Sequence, residues 1–200
     1  MSNEIGDKAR GMLAAHRWVL AGYAGIAGFL TMEALLRKPG SAASLKASED
    51  DKGTTRAIIT AAAIAAVAPP ILRRTPMPEL PRAAAATGVA LQVVGLATRA
   101  VSMRTLGRFY SRTLRATDEQ RVVDTGPYRL VRHPGYTGSL LLWTGFALST
   151  RSLPVVAVVA GLFGSAYRKR IAAEELLLRR DLPGYLAYSE RTKRLIPYVW

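Results

Sequence analysis

The sequence contains no cysteine among its 200 residues. That excludes disulfides, thiolate metal sites and a cysteine nucleophile, and it says nothing about compartment. Histidine is nearly as scarce, with only His16 and His133. Acidic residues are few: 14 Asp and Glu face 28 Lys and Arg, for a formal net charge of +14. No internal repeat is visible, which argues against a repeat architecture. No Gly-x-Gly-x-x-Gly fingerprint occurs, which argues against a Rossmann-type nicotinamide site. Residues 1–10 are polar and mixed in charge, with no small-residue cleavage site, so no cleavable signal peptide is expected.

What is present is hydrophobicity in blocks. Half the chain is hydrophobic, and the charges fall between the apolar runs rather than within them. Basic residues that flank apolar blocks hold spanning helices against anionic headgroups. Nucleic-acid binders instead interleave basic and aromatic residues in a polar segment, so a membrane partner is expected and a nucleic acid is not. The blocks cover residues 18–36, 57–72, 83–103, 136–150 and 153–167. The first and third reach the roughly 20 apolar residues of a full span, while the others are short and equally compatible with buried core helices of a soluble protein. The fourth and fifth are separated only by Arg151 and Ser152, with Pro154 at a first-turn position, and read as a helical hairpin dipping through the bilayer. Gly22, Gly25 and Gly28 either serve close helix contact in lipid or are small-residue filler. Residues 38–55 read as a polar loop, and Pro69, Pro70, Pro76, Pro78 and Pro81 predict a stiff, non-helical connection.

The expected fold is therefore all-α: one polytopic membrane domain with about five transmembrane helices. With five crossings, 7 basic residues lie on the N-terminal side and 21 on the other. Positive residues mark the cytoplasmic side, so the N-terminus is expected outside and the C-terminus inside. A prokaryotic inner or plasma membrane is the expected location.

Two stretches depart from apolar span and basic flank. In the first, Pro134 fixes its own φ and pushes His133 out of helical geometry, which holds the imidazole at the mouth of a helix. Tyr136 and Gly138 fall in the first turn, where free N–H groups favour an anion, and Gly135 and Gly138 permit close backbone approach. The plainer alternative is a basic loop anchoring a helix in headgroups, with Tyr136 as an interfacial aromatic. In the second stretch, Arg170 and Glu174 stand four apart on one helix face, with Tyr167 a turn earlier. Adjacent carboxylates at Glu174 and Glu175, where a helix leaves the bilayer, are costly unless something cationic meets them. An ordinary surface pair, worth about 0–1 kcal/mol, accounts for Arg170 and Glu174 but not for Glu175.

The ordered set resembles the isoprenylcysteine carboxyl methyltransferase family and, in part, the related phospholipid methyltransferases. It consists of Arg132, His133, Pro134, Tyr136 and Gly138, then Arg170, Glu174, Glu175 and Leu178, then Tyr185, Tyr188, Ile196 and Pro197. Leu106 to Phe109 and Val123, with Thr125 to Arg129, extend the match over residues 106–197. One departure is Leu182-Pro183-Gly184, where the family often has Phe-Gly.

The resemblance implies a helical membrane fold, with scaffold helices over residues 18–104 and a methyltransferase core with a C-terminal helical cofactor region over 105–200. It implies S-adenosylmethionine as cofactor, reached from the cytoplasm. His133, Pro134, Tyr136, Gly138, Glu174, Glu175, Tyr185 and Tyr188 are the implied cofactor residues. Arg170 and Glu174 form the implied catalytic pair, and Arg170 and Tyr167 meet the acceptor. No metal is expected. The implied acceptor is a lipophilic small molecule or lipidated chain bearing a carboxylate. A phospholipid amine or another small lipophilic acceptor is the alternative. A non-methylating membrane reductase of the sterol type, or a binding protein, is the alternative from another class.

Overall fold

All five apolar blocks are helical in the computed structural model, which describes residues 2–36, 49–72, 77–110 and 121–199. The helices are α1 (Ser2–Leu35), α2 (Thr54–Leu72), α3 (Arg82–Leu106), α4 (Pro134–Ser149), α5 (Leu153–Asp181) and a short α6 (Tyr185–Arg191). Short 3-10 turns occupy Glu49–Asp51, Gly107–Phe109 and Gly126–Arg129. Among the described residues there is no β-strand, only an isolated parallel bridge between Val131 and Lys193.

Among the described residues, three helices are long and apolar enough to cross a membrane: Arg17–Leu35, Thr54–Leu72 and Arg82–Leu106. The fourth block is α4, whose 16 residues rise only about 24 Å. The fifth is the first half of α5. The two form the expected hairpin, turning at Arg151 in the left-handed region (φ 57°). Leu80 N donates to Arg151 O (2.9 Å) at this turn, and the Arg151 side chain donates back to Leu80 O (2.7 Å). The chain entering α3 is thereby pinned to the hairpin.

Three expected boundaries move. α1 begins at Ser2, well ahead of the apolar run. The polar loop ends at Gly53, because Thr54 and Thr55 open α2; residues 38–48 lie outside the described residues. Pro69 and Pro70 lie inside α2 instead of the connection. Their fixed φ suits a helix, and near the C-terminus they remove only two ladder donors. Pro78 and Pro81 do sit in extended chain, with Pro81 capping α3 (ψ 153°), and Pro76 lies outside the described residues.

The tightest packing is the crossing of α3 and α4, made by two glycine pairs seven residues apart on each helix. A Cβ on Gly88 would lie 2.5 Å from Gly145 O, and one on Gly95 would lie 2.5 Å from Gly138 O. Backbones that approach this closely gain packing that lipid cannot supply. α1 lies across both helices: a Cβ on Gly22 would strike Ser149 Oγ and one on Gly25 the Gln92 amide, whereas Gly28 makes ordinary contact with Leu96. The core between α4 and α5 is aromatic. Trp143 stacks on Phe163 (4.5 Å), Phe163 on Tyr167 (5.9 Å), Tyr167 meets Tyr136 (5.2 Å), and Tyr136 stacks on His133 (5.6 Å). This row runs from the helical core to the imidazole.

Candidate active site

A cavity of about 410 Å³ lies where the C-terminal ends of α1 and α3, the N-terminal ends of α2 and α4 and the far half of α5 converge. Sites for small organic ligands fall at about 300–1,000 Å³. One flank is apolar, formed by Phe29, Leu30, Ile58, Ile59, Ala62 and Trp143. Leu30 and Ile59 are 61% and 52% exposed while lining the cavity, so it opens sideways between α1 and α2. The two helices are tied further along by the Tyr23 hydroxyl, which donates to Ala66 O (2.7 Å).

The other end is polar, and the sequence around His133 builds it. His133 caps α4 with non-helical backbone (φ −123°, ψ 54°), and its carbonyl takes the N–H groups of Tyr136 (3.0 Å) and Thr137 (3.1 Å). Those donors are therefore occupied internally, contrary to the expectation of a first turn left open to an anion. The C-terminal segment clips the loop in place: Arg132 N donates to Lys193 O (2.7 Å), His133 N to Arg194 O (3.0 Å) and Thr137 Oγ1 to Leu195 O (2.9 Å).

Glu175 lies beneath the cavity wall, 4% exposed. Its Oε1 accepts from Arg132 Nε (2.7 Å), His133 Nε2 (2.9 Å) and the Tyr185 hydroxyl (3.1 Å). A carboxylate only accepts, so the imidazole proton in this contact sits on Nε2. Burial alone raises the Glu175 carboxyl, but the hydrogen bonds and charge of His133 and Arg132 outweigh it and hold the pKa at about 2. Burial, with the nearby carboxylates, pushes the Tyr185 hydroxyl up, so it stays a donor. Arg132 also donates to the carbonyls of Ser189 (2.9 Å) and Thr192, tying the α6 segment to the same point.

Glu174, next along α5, faces the cavity instead. Its Oε2 accepts from the Tyr136 hydroxyl (2.6 Å), and that hydroxyl accepts from Arg170 Nε (3.0 Å). Arg170 and Glu174 share a helix face as expected, and Tyr136 from α4 bridges them. Arg170 is 3% exposed, and its Nη1 reaches Asp51 Oδ1 (2.5 Å), Thr54 Oγ1 (3.1 Å) and Thr55 Oγ1 (3.0 Å).

A further ion pair, Arg99 with Glu33 (2.6 Å), has both partners in the cavity lining. Arg99 further donates to Gly135 O (3.0 Å), Ser139 Oγ (2.8 Å) and the Tyr110 hydroxyl (2.9 Å). It joins α1, α3 and α4.

The structure brings His133, Tyr136, Tyr167, Arg170, Glu174, Tyr185 and Tyr188 together around one cavity. Pro134, Gly138 and Glu175 stand outside the lining. Pro134 shapes the helix start, Gly138 lets α3 approach, and Glu175 is saturated by protein donors. Tyr188 lines the wall while its hydroxyl donates to Tyr128 O (2.6 Å). Sequence reasoning missed Glu33, Arg99, Tyr110 and Asp51. A carboxylate and a guanidinium inside apolar runs were the available signal for the first two.

The fold defines an integral membrane protein of helices enclosing a small-molecule cavity at one end of the bundle. The chain belongs to the phospholipid methyltransferase family (PEMT), whose family model matches residues 83–182. It is 33% identical over 112 residues to the cobalt-zinc-cadmium resistance protein CzcN of Cupriavidus metallidurans, covering 56% of this chain and 52% of that one. It is 29% identical over 116 residues to a probable protein-S-isoprenylcysteine O-methyltransferase of Oryza sativa, covering 56% and 60%. The chain thus spans little more than half the length of these curated relatives. The fold is like that of the eukaryotic intramembrane Ras methyltransferase ICMT, with a TM-score of 0.56 and 18% identity, covering 88% of this chain and 63% of that one.

Proposed function

We propose that this chain is a membrane methyltransferase that takes its methyl group from S-adenosylmethionine and gives it to the carboxylate of a lipophilic, isoprenylcysteine-like acceptor. The observation that carries this reading is the division of the cavity: an apolar flank open between α1 and α2, and a polar end at His133, Tyr136 and Glu174. The residues fit the cofactor. Among the described residues Glu174 Oε1 takes no hydrogen bond, so it offers an acceptor to an ammonium or a ribose hydroxyl beside the His133, Tyr136 and Tyr185 rings. When bound, the cofactor supplies an electrophilic methyl group: an O–C bond to the acceptor forms as the S–C bond breaks, leaving the electron pair on sulfur.

The chain's own residues do the rest by placement. A carboxylate is already nucleophilic at neutral pH and needs alignment and partial desolvation rather than a base. Arg170 aligns it, Tyr136 and Tyr167 wall the reacting end, and the α1–α2 flank takes the apolar tail and excludes water. The reading also puts the site and the C-terminus in the cytoplasm. The ends of five helices that meet at the cavity are those flanked by 21 of the 28 basic residues. A reporter fused after Trp200 is expected to be active on the cytoplasmic side only, and activity outside refutes the orientation.

The family description favours a second reading, a phospholipid amine acceptor, for which Glu174 would take the proton. Membranes containing the protein, incubated with radiolabelled S-adenosylmethionine, separate the two. Base-labile label in the lipophilic fraction marks an ester, base-stable label an N-methyl group, and no label refutes both. The family match does not favour the reductase alternative.

A further inference from the structure

Of the four arginines in the cavity lining, three are taken: Arg99 by Glu33 (2.6 Å), Arg132 by Glu175 (2.7 Å) and Arg170 by Asp51 (2.5 Å). Arg121 is the fourth, and among the described residues it makes no hydrogen bond or ion pair. The acids of the lining divide in the same way. Glu33 is held by Arg99 and by the Tyr110 hydroxyl, whereas Glu174 accepts from Tyr136 on Oε2 alone. The cavity thus offers one open guanidinium and one open carboxylate oxygen.

Both belong to its polar end. Val122, next to Arg121, packs with Leu178 against Leu182, Tyr185 and Tyr188. Asp124 pairs with Arg191 of α6 (2.7 Å), which holds this non-helical segment against the α6 region. Leu178 follows Glu174 by one turn of α5, about 6 Å along the axis, and both line the cavity. Tyr185 in turn reaches Glu175, the neighbour of Glu174 (3.1 Å). Arg121 itself is exposed, so it stands at the rim of that end with its charge hydrated. A guanidinium offers a carboxylate two parallel donors. An α-amino acid carries an ammonium and a carboxylate on one carbon, so its binding calls for an acceptor and a cation at the same end of a site.

We propose that Arg121 binds the α-carboxylate of the cofactor's amino-acid end, while Glu174 Oε1 takes the α-ammonium of the same group. This rests on the S-adenosylmethionine reading above, and it commits Glu174 to the ammonium rather than to a ribose hydroxyl. The test is calorimetric binding to the full chain in detergent micelles, with two ligands. S-adenosylhomocysteine carries both charges; its decarboxylated analogue keeps the ammonium and lacks the carboxylate. The variants are Arg121→Ala, Arg121→Lys and Glu174→Ala. Arg129→Ala is the control, because Arg129 is exposed on the following 3-10 turn and does not line the cavity.

Arg121→Ala is expected to weaken S-adenosylhomocysteine about fivefold, the upper range of an ion pair in contact with water, and to leave the decarboxylated ligand within twofold of the parent. Arg121→Lys should recover part of the loss, because it keeps the charge without the fork. Glu174→Ala should weaken both ligands, and Arg129→Ala neither. S-adenosylhomocysteine affinity within twofold of the parent in Arg121→Ala overturns the proposal. So does an equal loss for both ligands, which would mean that Arg121 shapes the wall rather than meeting the carboxylate. An equal loss of S-adenosylhomocysteine affinity in Arg129→Ala also overturns it, as the mark of the general positive field. A loss confined to S-adenosylhomocysteine in Glu174→Ala overturns the ammonium half. A parent that binds neither ligand overturns the functional reading itself, and this assignment with it.

Discussion

The Tyr136 hydroxyl donates to Glu174 Oε2 at 2.6 Å and is itself held by Arg170 Nε at 3.0 Å, so the pair expected to meet directly meets through a tyrosine of another helix. Glu174 and Arg170 are thereby coupled yet turned to different tasks. Glu174→Ala is expected to weaken S-adenosylhomocysteine binding by about 1.5–3 kcal/mol, the size of a lost hydrogen bond to a charged group. Tyr136→Phe removes only the bridge and is expected to weaken it by about 0.5–1.5 kcal/mol. Arg170→Ala should leave this affinity near the parent's while lowering turnover, and Arg170→Lys should rescue poorly, because an ammonium has no fork. Titrations on folded variants check this; equal loss of affinity for Arg170→Ala and Glu174→Ala would show that both hold the cofactor.

Glu175 predicts a pH dependence of stability. Its carboxyl is held at about 2 against an ordinary 4.5, so the stabilisation is complete above about pH 4.5 and is lost as pH falls toward 2. Glu175→Gln strands Arg132 and is expected to destabilise by about 3 kcal/mol at neutral pH. The variant should also lack the parent's extra loss of stability between about pH 4.5 and 2. Thermal melting in detergent across that range measures both; parallel curves for parent and variant would contradict the assignment.

The contrast between Glu174 and Glu175 marks how far the sequence was legible. Adjacent helical residues point about 100° apart, so only one of the two faces the cavity, and which one depends on how α5 is rotated against α4. The five helices themselves were readable, because apolar blocks report burial in lipid or core. So was His133 at a helix mouth, because Pro134 leaves little alternative. Glu33 and Arg99 were visible as charges inside apolar runs, but their pairing is set by how α1 packs against α3. Asp51 carried no signal: its partner is 119 residues away and is set by tertiary packing alone.

The α3–α4 crossing predicts that its glycines cannot be replaced. Gly95→Ala would bring a Cβ to 2.5 Å from Gly138 O and 2.8 Å from Leu142 N, both backbone atoms of the facing helix. Overpacking of this kind destabilises by about 1–3 kcal/mol, and here it would also shift the start of α4, where His133 sits. Gly161→Ala, with nothing within 4 Å of the added atom, should be neutral or stabilising by up to about 1 kcal/mol. Melting temperatures in detergent test the pair, and equal tolerance at both sites would show that α3 and α4 are less closely packed than described.

The sideways opening predicts how acceptor chain length is sensed. Leu30 and Ile59 line the cavity while remaining mostly exposed, so a lipophilic tail can lie between α1 and α2 without crossing the polar end. Each methylene buried there contributes up to about 0.8 kcal/mol, less where the tail is already in lipid. Acceptor KM should therefore fall from geranyl to farnesyl and level off once the tail emerges into the bilayer. Ile59→Trp fills the opening with a large rigid ring. It is expected to raise KM several-fold for the farnesyl acceptor and to flatten the chain-length dependence. S-adenosylhomocysteine affinity should not change, since Glu174, His133 and Tyr185 lie at the other end of the cavity. Unchanged chain-length dependence in Ile59→Trp would show that the tail leaves by another route. A parallel loss of S-adenosylhomocysteine binding would mean that the apolar flank belongs to the cofactor, and the division of the cavity on which the functional reading stands would fall.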